Sequence, residues 1–341
     1  MEHPAVAAAR ELADSLLRPS AERVDTDGVP RSHLDALAHA GLMNAVDLPG
    51  PVAREVAELL AGADASTWFV WTQHHTPVRT VARGTNEALR DRLLPRLTSG
   101  TDLAGVAFTH LRRPGPPPVS ARRADDGAGW VFDGEIAWLT SWELADLFCV
   151  GAQSGGDVVW ALVALRGMAG VTAESLALAA MGGTSTMRVR LDQVRVSDEE
   201  VALVEPLASW RATDAARTAD VSAAVFGVTA EALRRLRERD DQAATAVADA
   251  AEARLHGLRT AAFALIDDVP AGERVEERLA LRAQAHLLAC RATTALVTLG
   301  AGRAMLLDAP AQRLARVALF LLVQGQTAAV REATLRALAD Q

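Results

Sequence analysis

Between residues 102 and about 205 apolar residues recur with a period of two, while on either side of that stretch they recur at helical spacing. A chain that changes period twice in this way encloses a β-domain between two helical blocks. Candidate strands cover 103–108, 119–124, 129–138, 146–152, 158–165 and 187–196, separated by Gly, Pro and Asp clusters, and this spacing suggests a small barrel or sandwich. Within the stretch, Asp133-Gly134 between alternating residues reads as the turn of a β-hairpin that runs into a further strand. Trp130, Trp138 and Trp142 are unusual in a chain with only 4% aromatics. They mark either a dense core or a flat wall for a planar ligand, and the residues alone favour packing.

The flanks read as helices. Ahead of the β-stretch they cover 5–17, 33–40 (Ser32 as cap, Gly41 as stop), 52–61, 68–82 (capped by Asp64-Ala65-Ser66-Thr67) and 87–97. After it come four longer apolar-striped segments, 213–239, 243–267, 274–299 and 310–339, which imply a four-helix bundle. The expected organisation is therefore an N-terminal helical domain (1–101), a middle β-domain (102–205) and a C-terminal four-helix bundle (206–341).

Composition removes several functions. Every basic residue is Arg, and the chain has no Lys and no Tyr, which excludes Schiff-base chemistry, a P-loop lysine, and Lys or Tyr acids. A net charge of -8 argues against nucleic-acid binding, and the short Arg runs, such as Arg234-Arg235-Leu236-Arg237, lie among acidic residues as a solvated face. Cys149 and Cys290 have neither metal-ligand nor disulfide spacing and read as core thiols in a reducing compartment. No metal site is expected. Gly182-Gly183 and Gly300-Ala301-Gly302 do not open a helix after a strand and are not dinucleotide fingerprints. Met1-Glu2-His3-Pro4 does not begin a secretory leader and no apolar run reaches membrane-spanning length, so a cytoplasmic location is expected.

Several motifs carry a family resemblance. Asp64-Ala65-Ser66, Gly84-Thr85-Asn86-Glu87 and Leu94-Pro95-Arg96-Leu97-Thr98-Ser99-Gly100 are followed by Ala107-Phe108-Thr109. Then come Asp133-Gly134, Trp138-Leu139-Thr140-Ser141, Met181-Gly182-Gly183 with Val194-Arg195-Val196, Leu299-Gly300-Ala301-Gly302 and Val323-Gln324-Gly325-Gln326. In this order, over nearly the whole chain, they resemble the motifs of the acyl-CoA dehydrogenase superfamily, which has the same three-part layout. The resemblance implies a flavin cofactor, FAD with FMN as the alternative, contacted by Thr109, Trp138, Thr140, Ser141, Gly300 and Gln326. In such relatives the Trp forms a wall against the ring and the Thr donates a hydrogen bond to it. It also implies an acyl-thioester or related small-molecule substrate, and assembly as a homodimer or homotetramer through the bundle.

The departures matter equally. Gln324 stands where most relatives carry the Glu that removes the substrate α-proton, and an amide does not accept a proton at neutral pH. Where other relatives supply that Glu from the first bundle helix, this chain has Arg217, with Asp214 and Asp220 as weak stand-ins. After Thr109 the family's Glu-Pro becomes His110-Leu111-Arg112-Arg113, and the Arg that contacts the cofactor's pyrophosphate region persists only as Arg237 or Arg239, without the Phe-Gly that should follow. His74, His75 and His110 are weak catalytic candidates, because oxygen-activating flavin monooxygenases of this fold lack the Glu and place His near the flavin. The bland reading for each is a capping or surface His. The resemblance thus implies a flavin-dependent oxidoreductase. The alternatives are a flavin monooxygenase, a base-lacking subunit of a heteromeric dehydrogenase, and a cofactor-free binding protein.

Overall fold

The computed structural model describes residues 2–340; Met1 and Gln341, the outermost residues of the first and last segments read above, lie outside the described residues. Six helices come first: α1 (Pro4–Leu12), α2 (Arg18–Asp27), α3 (Arg31–His39), α4 (Gly50–Ala63), α5 (Ala65–Ala82) and α6 (Glu87–Thr98). A π-helical turn, Ala13–Leu17, joins the first two. Asp64 caps α5 by accepting the Ser66 amide at 3.0 Å and the Thr67 hydroxyl at 2.5 Å. Ser32 does not cap α3: the helix begins two residues earlier than expected, at Arg31 after Pro30, whose fixed φ suits a helix entry.

Eight strands follow: β1 (Ala104–Ala107), β2 (Val119–Arg123), β3 (Trp130–Leu139), β4 (Leu147–Ser154), β5 (Asp157–Val163), β6 (Val171–Ser175), β7 (Met187–Val196) and β8 (Val201–Pro206). They form one mixed sheet in the order β6-β7-β3-β2-β4-β5-β8, with β1 parallel to β4. One residue pair, Ser120 with Gln153, joins the two halves. Phe132, Ile136, Val189 and Leu191 of one half and Phe148, Val150 and Val159 of the other bury together between them. The outer face of β4 and β5 packs Trp160 and Leu162 against Val78, Val81 and Leu89 of α5 and α6.

The hairpin expected at Asp133-Gly134 is not formed; both residues lie inside the unbroken β3. They make a bulge opposite β7, where the register shifts between Phe132 and Gly134. Gly134 takes φ 133°, and a Cβ there would overlap the Pro118 carbonyl. Asp133 accepts the Gln193 side-chain amide at 2.8 Å and its backbone N–H at 3.2 Å. The signal for φ > 0 was real, but pairing on both edges, with β2 and β7, turns it into a bulge.

Two of the four expected bundle helices are interrupted. The first is α7 (Leu207–Ala219) and α8 (Ala223–Arg237), broken at Asp220-Val221-Ser222. Then come α9 (Gln242–Asp268) and α10 (Val275–Gly300) intact, and the last is α11 (Pro310–Val323) and α12 (Ala328–Ala339), broken at Gln324-Gly325. Gly325 takes φ 64° there and Thr327 caps α12. No helix of the described residues is long and apolar enough to cross a membrane.

Helices α4 and α8 cross backbone to backbone. A Cβ on Gly62 would lie 2.7 Å from the Gly227 carbonyl oxygen, and one on Gly227 would overlap the Glu58 carbonyl. Gly227→Ala must therefore separate two backbones that have no flexible side chain to give way. The expected loss is about 2–3 kcal/mol in urea unfolding, and a loss under about 0.5 kcal/mol would show that the crossing relaxes freely.

Candidate functional site

A cavity of about 770 Å³ opens where α5, the turn after β1, α7 and the two helix breaks converge. Helix α5 presents Gln73, Thr76, Arg79 and Thr80 to it, and Arg83 just past its end continues this polar stripe at helical spacing on an otherwise mostly buried helix. Helix α7 supplies Trp210, Thr213, Asp214 and Arg217, and the breaks supply Asp220, Gln324 and Gly325.

Buried Arg282 holds both breaks together. It donates to the carbonyls of Thr218 (3.0 Å), Asp220 (3.0 Å) and Gln324 (2.7 Å). Burial, then the Arg112 charge, lower its pKa to about 10, so it stays charged at neutral pH. Next to it Arg278 pairs with the Asp220 carboxylate and donates to the Leu265 and Val269 carbonyls.

Most carboxylates of the cavity are committed. Asp214 is held bidentately by Arg112 at 2.7 and 2.8 Å, and Glu205 bidentately by Arg83 while accepting the Trp160 indole N–H at 2.8 Å. Asp47, at the rim, accepts the Asn44 amide. Phe108, Trp160 and Trp210 form an aromatic wall, with ring centroids 5.7–6.4 Å apart.

The residues singled out in the sequence fall into separate places. Thr109 and Gln324 both line the cavity. Trp138, Thr140 and Ser141 sit at the end of β3, away from the lining, where the amides of Ser141 and Trp142 bond the Thr184 and Ser185 carbonyls. Trp142 is core, stacked on Phe148 at 5.3 Å, whereas Trp138 is 50% exposed. The Ser141 hydroxyl is buried without a partner, and Ser141, Met181 and Ser185 all hold left-handed backbone in this one patch. Thr184 donates to the Met181 carbonyl at 2.7 Å, contacts Thr186 at 2.8 Å, and Thr186 contacts Thr140 at 3.0 Å. One proton per hydroxyl fixes the direction of this chain: Thr140 donates to Thr186, leaving only its lone pairs for anything else. Gly300 ends α10 and Gln326 follows the second break; neither lines the cavity.

None of the three histidine candidates lines the cavity. His74 donates from Nε2 to the Leu97 carbonyl at 2.9 Å and accepts the Ala104 amide at Nδ1 at 3.0 Å, tying α5 to α6 and β1. Burial lowers its pKa to about 4. His75 packs edge-on against Trp71 at 4.3 Å, and burial drives its pKa well below the usual value. His110 bonds the Gly151 carbonyl through Nε2 at 2.6 Å, and burial lowers its pKa to about 4. All three are buried neutral rings, not the capping or surface groups of the bland reading. Cys149 is likewise buried, its thiol pushed up to about 12 by desolvation.

No family model matches the chain. Butyryl-CoA dehydrogenase from Megasphaera elsdenii superposes over 99% of both chains with a TM-score of 0.80 at 18% identity. The chain has the acyl-CoA dehydrogenase fold. A glutaryl-coenzyme A dehydrogenase in complex with glutaryl-CoA matches 99% of this chain and 95% of its own at TM-score 0.81 and 16% identity. The fold also serves a dibenzothiophene monooxygenase from Paenibacillus sp. A11-2, at TM-score 0.77 and 20% identity over 100% of this chain and 98% of that one.

In an acyl-CoA dehydrogenase fold, two features of the β3 patch fit a flavin ring: an exposed indole and a buried hydroxyl lacking a partner. Of the two arginines read for the pyrophosphate end, Arg237 is taken up by Asp249 and Glu252 at 3.0–3.3 Å, whereas Arg239 is exposed and has no side-chain partner among the described residues. Arg79, Arg282, Trp160 and Trp210 were not singled out in the sequence. The stripe Gln73, Thr76, Thr80, Arg83 was the readable signal for the first of these.

Proposed function

We propose that this chain is a flavin-dependent oxidoreductase acting on a small molecule or acyl thioester bound in the cavity under Gln324. The observation that carries the reading is the cavity itself, walled by Thr109 of the turn after β1 and by Gln324-Gly325 of the broken last bundle helix. Trp138, Ser141 and Thr109 would hold the flavin, FAD or FMN, which supplies hydride or oxygen transfer when bound. The chain's own residues shape and hold the substrate space. Arg282 fixes the Gln324 backbone over the cavity, and the Gln324 amide offers hydrogen bonds without taking a proton.

Oxygen transfer is favoured over α,β-dehydrogenation by a specific feature. Among the described residues, the carboxylates lining the cavity all have partners, Asp214, Asp220 and Glu205 on arginines and Asp47 on the Asn44 amide, so none is left without a partner to serve as the base. The test is flavin reduction by an acyl-CoA panel without oxygen, set against oxygen uptake by the chemically reduced protein. Oxygen-dependent product formation supports the reading, and rapid anaerobic reduction by an acyl-CoA would overturn the preference for oxygen transfer. Exposed Leu319 and Val323 on α11 and Leu335 and Leu338 on α12 support a homo-oligomer built through the bundle.

Trp138→Ala separates wall from core. Because the indole is half exposed, unfolding free energy should change by less than about 0.5 kcal/mol, while retained flavin falls by at least half. Equal flavin content in the variant would remove Trp138 from the site.

A further inference from the structure

Five arginines line the cavity, and three of them are accounted for. Arg83 and Arg112 hold carboxylates bidentately, and Arg282 holds three carbonyls. The other two, Arg79 of α5 and Arg217 of α7, make no ion pair and no side-chain hydrogen bond among the described residues. They face one space from opposite helices, near enough that the Arg217 charge lowers the Arg79 pKa, which crowding by surrounding protein and this repulsion together bring to about 10. Arg79 remains charged at neutral pH. Arg79 and Arg217 are both solvent-exposed at the cavity, and two guanidiniums facing one concave space without an acidic partner leave an unbalanced positive field there. Such a site favours an oxyanion, which guanidinium forks bind bidentately. In the same cavity stand Phe108, Trp160 and Trp210, an aromatic cluster whose rings are inclined to one another by 49–66°; Trp160 is buried behind, and Phe108 and Trp210 are half-buried.

We infer that Arg79 and Arg217 clamp the oxyanion, a carboxylate or a phosphate, of a substrate whose planar apolar body packs against the half-buried rings of Phe108 and Trp210. The inference rests on reading this cavity as the substrate site, and it narrows the substrate class to small aromatic or similarly flat organic acids and phosphate esters. Neither guanidinium has a partner to lose, so Arg79→Gln and Arg217→Gln fold as the parent does.

The experiment is calorimetric titration of the full-length protein at low salt with benzoate, phenyl phosphate and benzyl alcohol, flavin content being read in parallel by absorbance. Benzoate or phenyl phosphate should bind at least tenfold more tightly than the neutral alcohol, and the tighter of the two identifies the oxyanion. Arg79→Gln and Arg217→Gln should each weaken that binding about tenfold or more, while Arg190→Gln, on the exposed face of β7, leaves it unchanged. Failure of both aromatic oxyanions to bind, equal affinity for benzyl alcohol, or undiminished affinity in both cavity variants overturns the inference. Capture of the oxyanion by protein that retains no flavin supports the clamp while removing the redox reading.

Discussion

Lowering the pH from 6.5 to 4 should unfold this protein. His74, His110 and His286 are buried as neutral rings, each with a pKa lowered to about 4, with burial the first cause in every case. His286 sits inside α10 with Nδ1 on the Arg282 carbonyl at 2.7 Å. A folded pKa below the unfolded one means that the contribution to stability is complete above pH 6.5 and is lost as the pH falls towards 4. Each ring then costs on the order of 3 kcal/mol, and three together approach the whole stability of a typical domain. Asp64 opposes them. Desolvation raises its carboxyl to about 6 against the Thr67 hydrogen bond, so its penalty is present above pH 6 and disappears as the pH falls towards 4, returning about 3 kcal/mol. The histidines outweigh it by roughly threefold. Thermal melts should therefore show Tm dropping steeply between pH 6 and 4, and a flat Tm over that range would mean that the rings are not buried neutral.

Arg282→Met should be the most damaging single change near the cavity. The methionine fills much of the space but donates nothing, so the Thr218, Asp220 and Gln324 carbonyls lose their common donor. Stranding them costs about 3 kcal/mol or more, tempered where cavity water reaches them. The loss is also local, since Gln324-Gly325 and Asp220-Val221-Ser222 are then no longer tied across α10. Urea unfolding measures the first effect and protease nicking at 220–222 or 324–327 the second. A loss below about 1 kcal/mol with unchanged nicking would show that the breaks are held by packing alone.

These two effects mark where the sequence was readable. The change of apolar period located the sheet, and the ordered motifs carried the fold, because both are local patterns. The helix breaks were not seen. Asp220-Val221-Ser222 and Gln324-Gly325 are short, and the carbonyls they free are held by a distant arginine, 42 residues from Gln324 in sequence. Strand β6 was missed because its residues are mostly exposed and show no alternation, and β8 because a four-residue capping turn, from Ser197 to Glu200, joins it closely to β7. At the site, motif position brought Thr109 and Gln324 to one cavity, but the histidines were misplaced by type: residue identity signals chemistry, whereas burial decides whether a ring titrates near neutrality. The aromatic wall draws on β5, α7 and the turn after β1, a juxtaposition that no single stretch of sequence contains.

The central claim is that the patch at the end of β3 and the cavity lined by Thr109 and Gln324 together form a flavin enzyme's site. Its most direct test is the visible absorption spectrum of the purified protein after incubation with FAD or FMN and gel filtration. The account predicts a flavin band that co-elutes with the protein and is diminished in Trp138→Ala. Protein that emerges colourless after both incubations would contradict it.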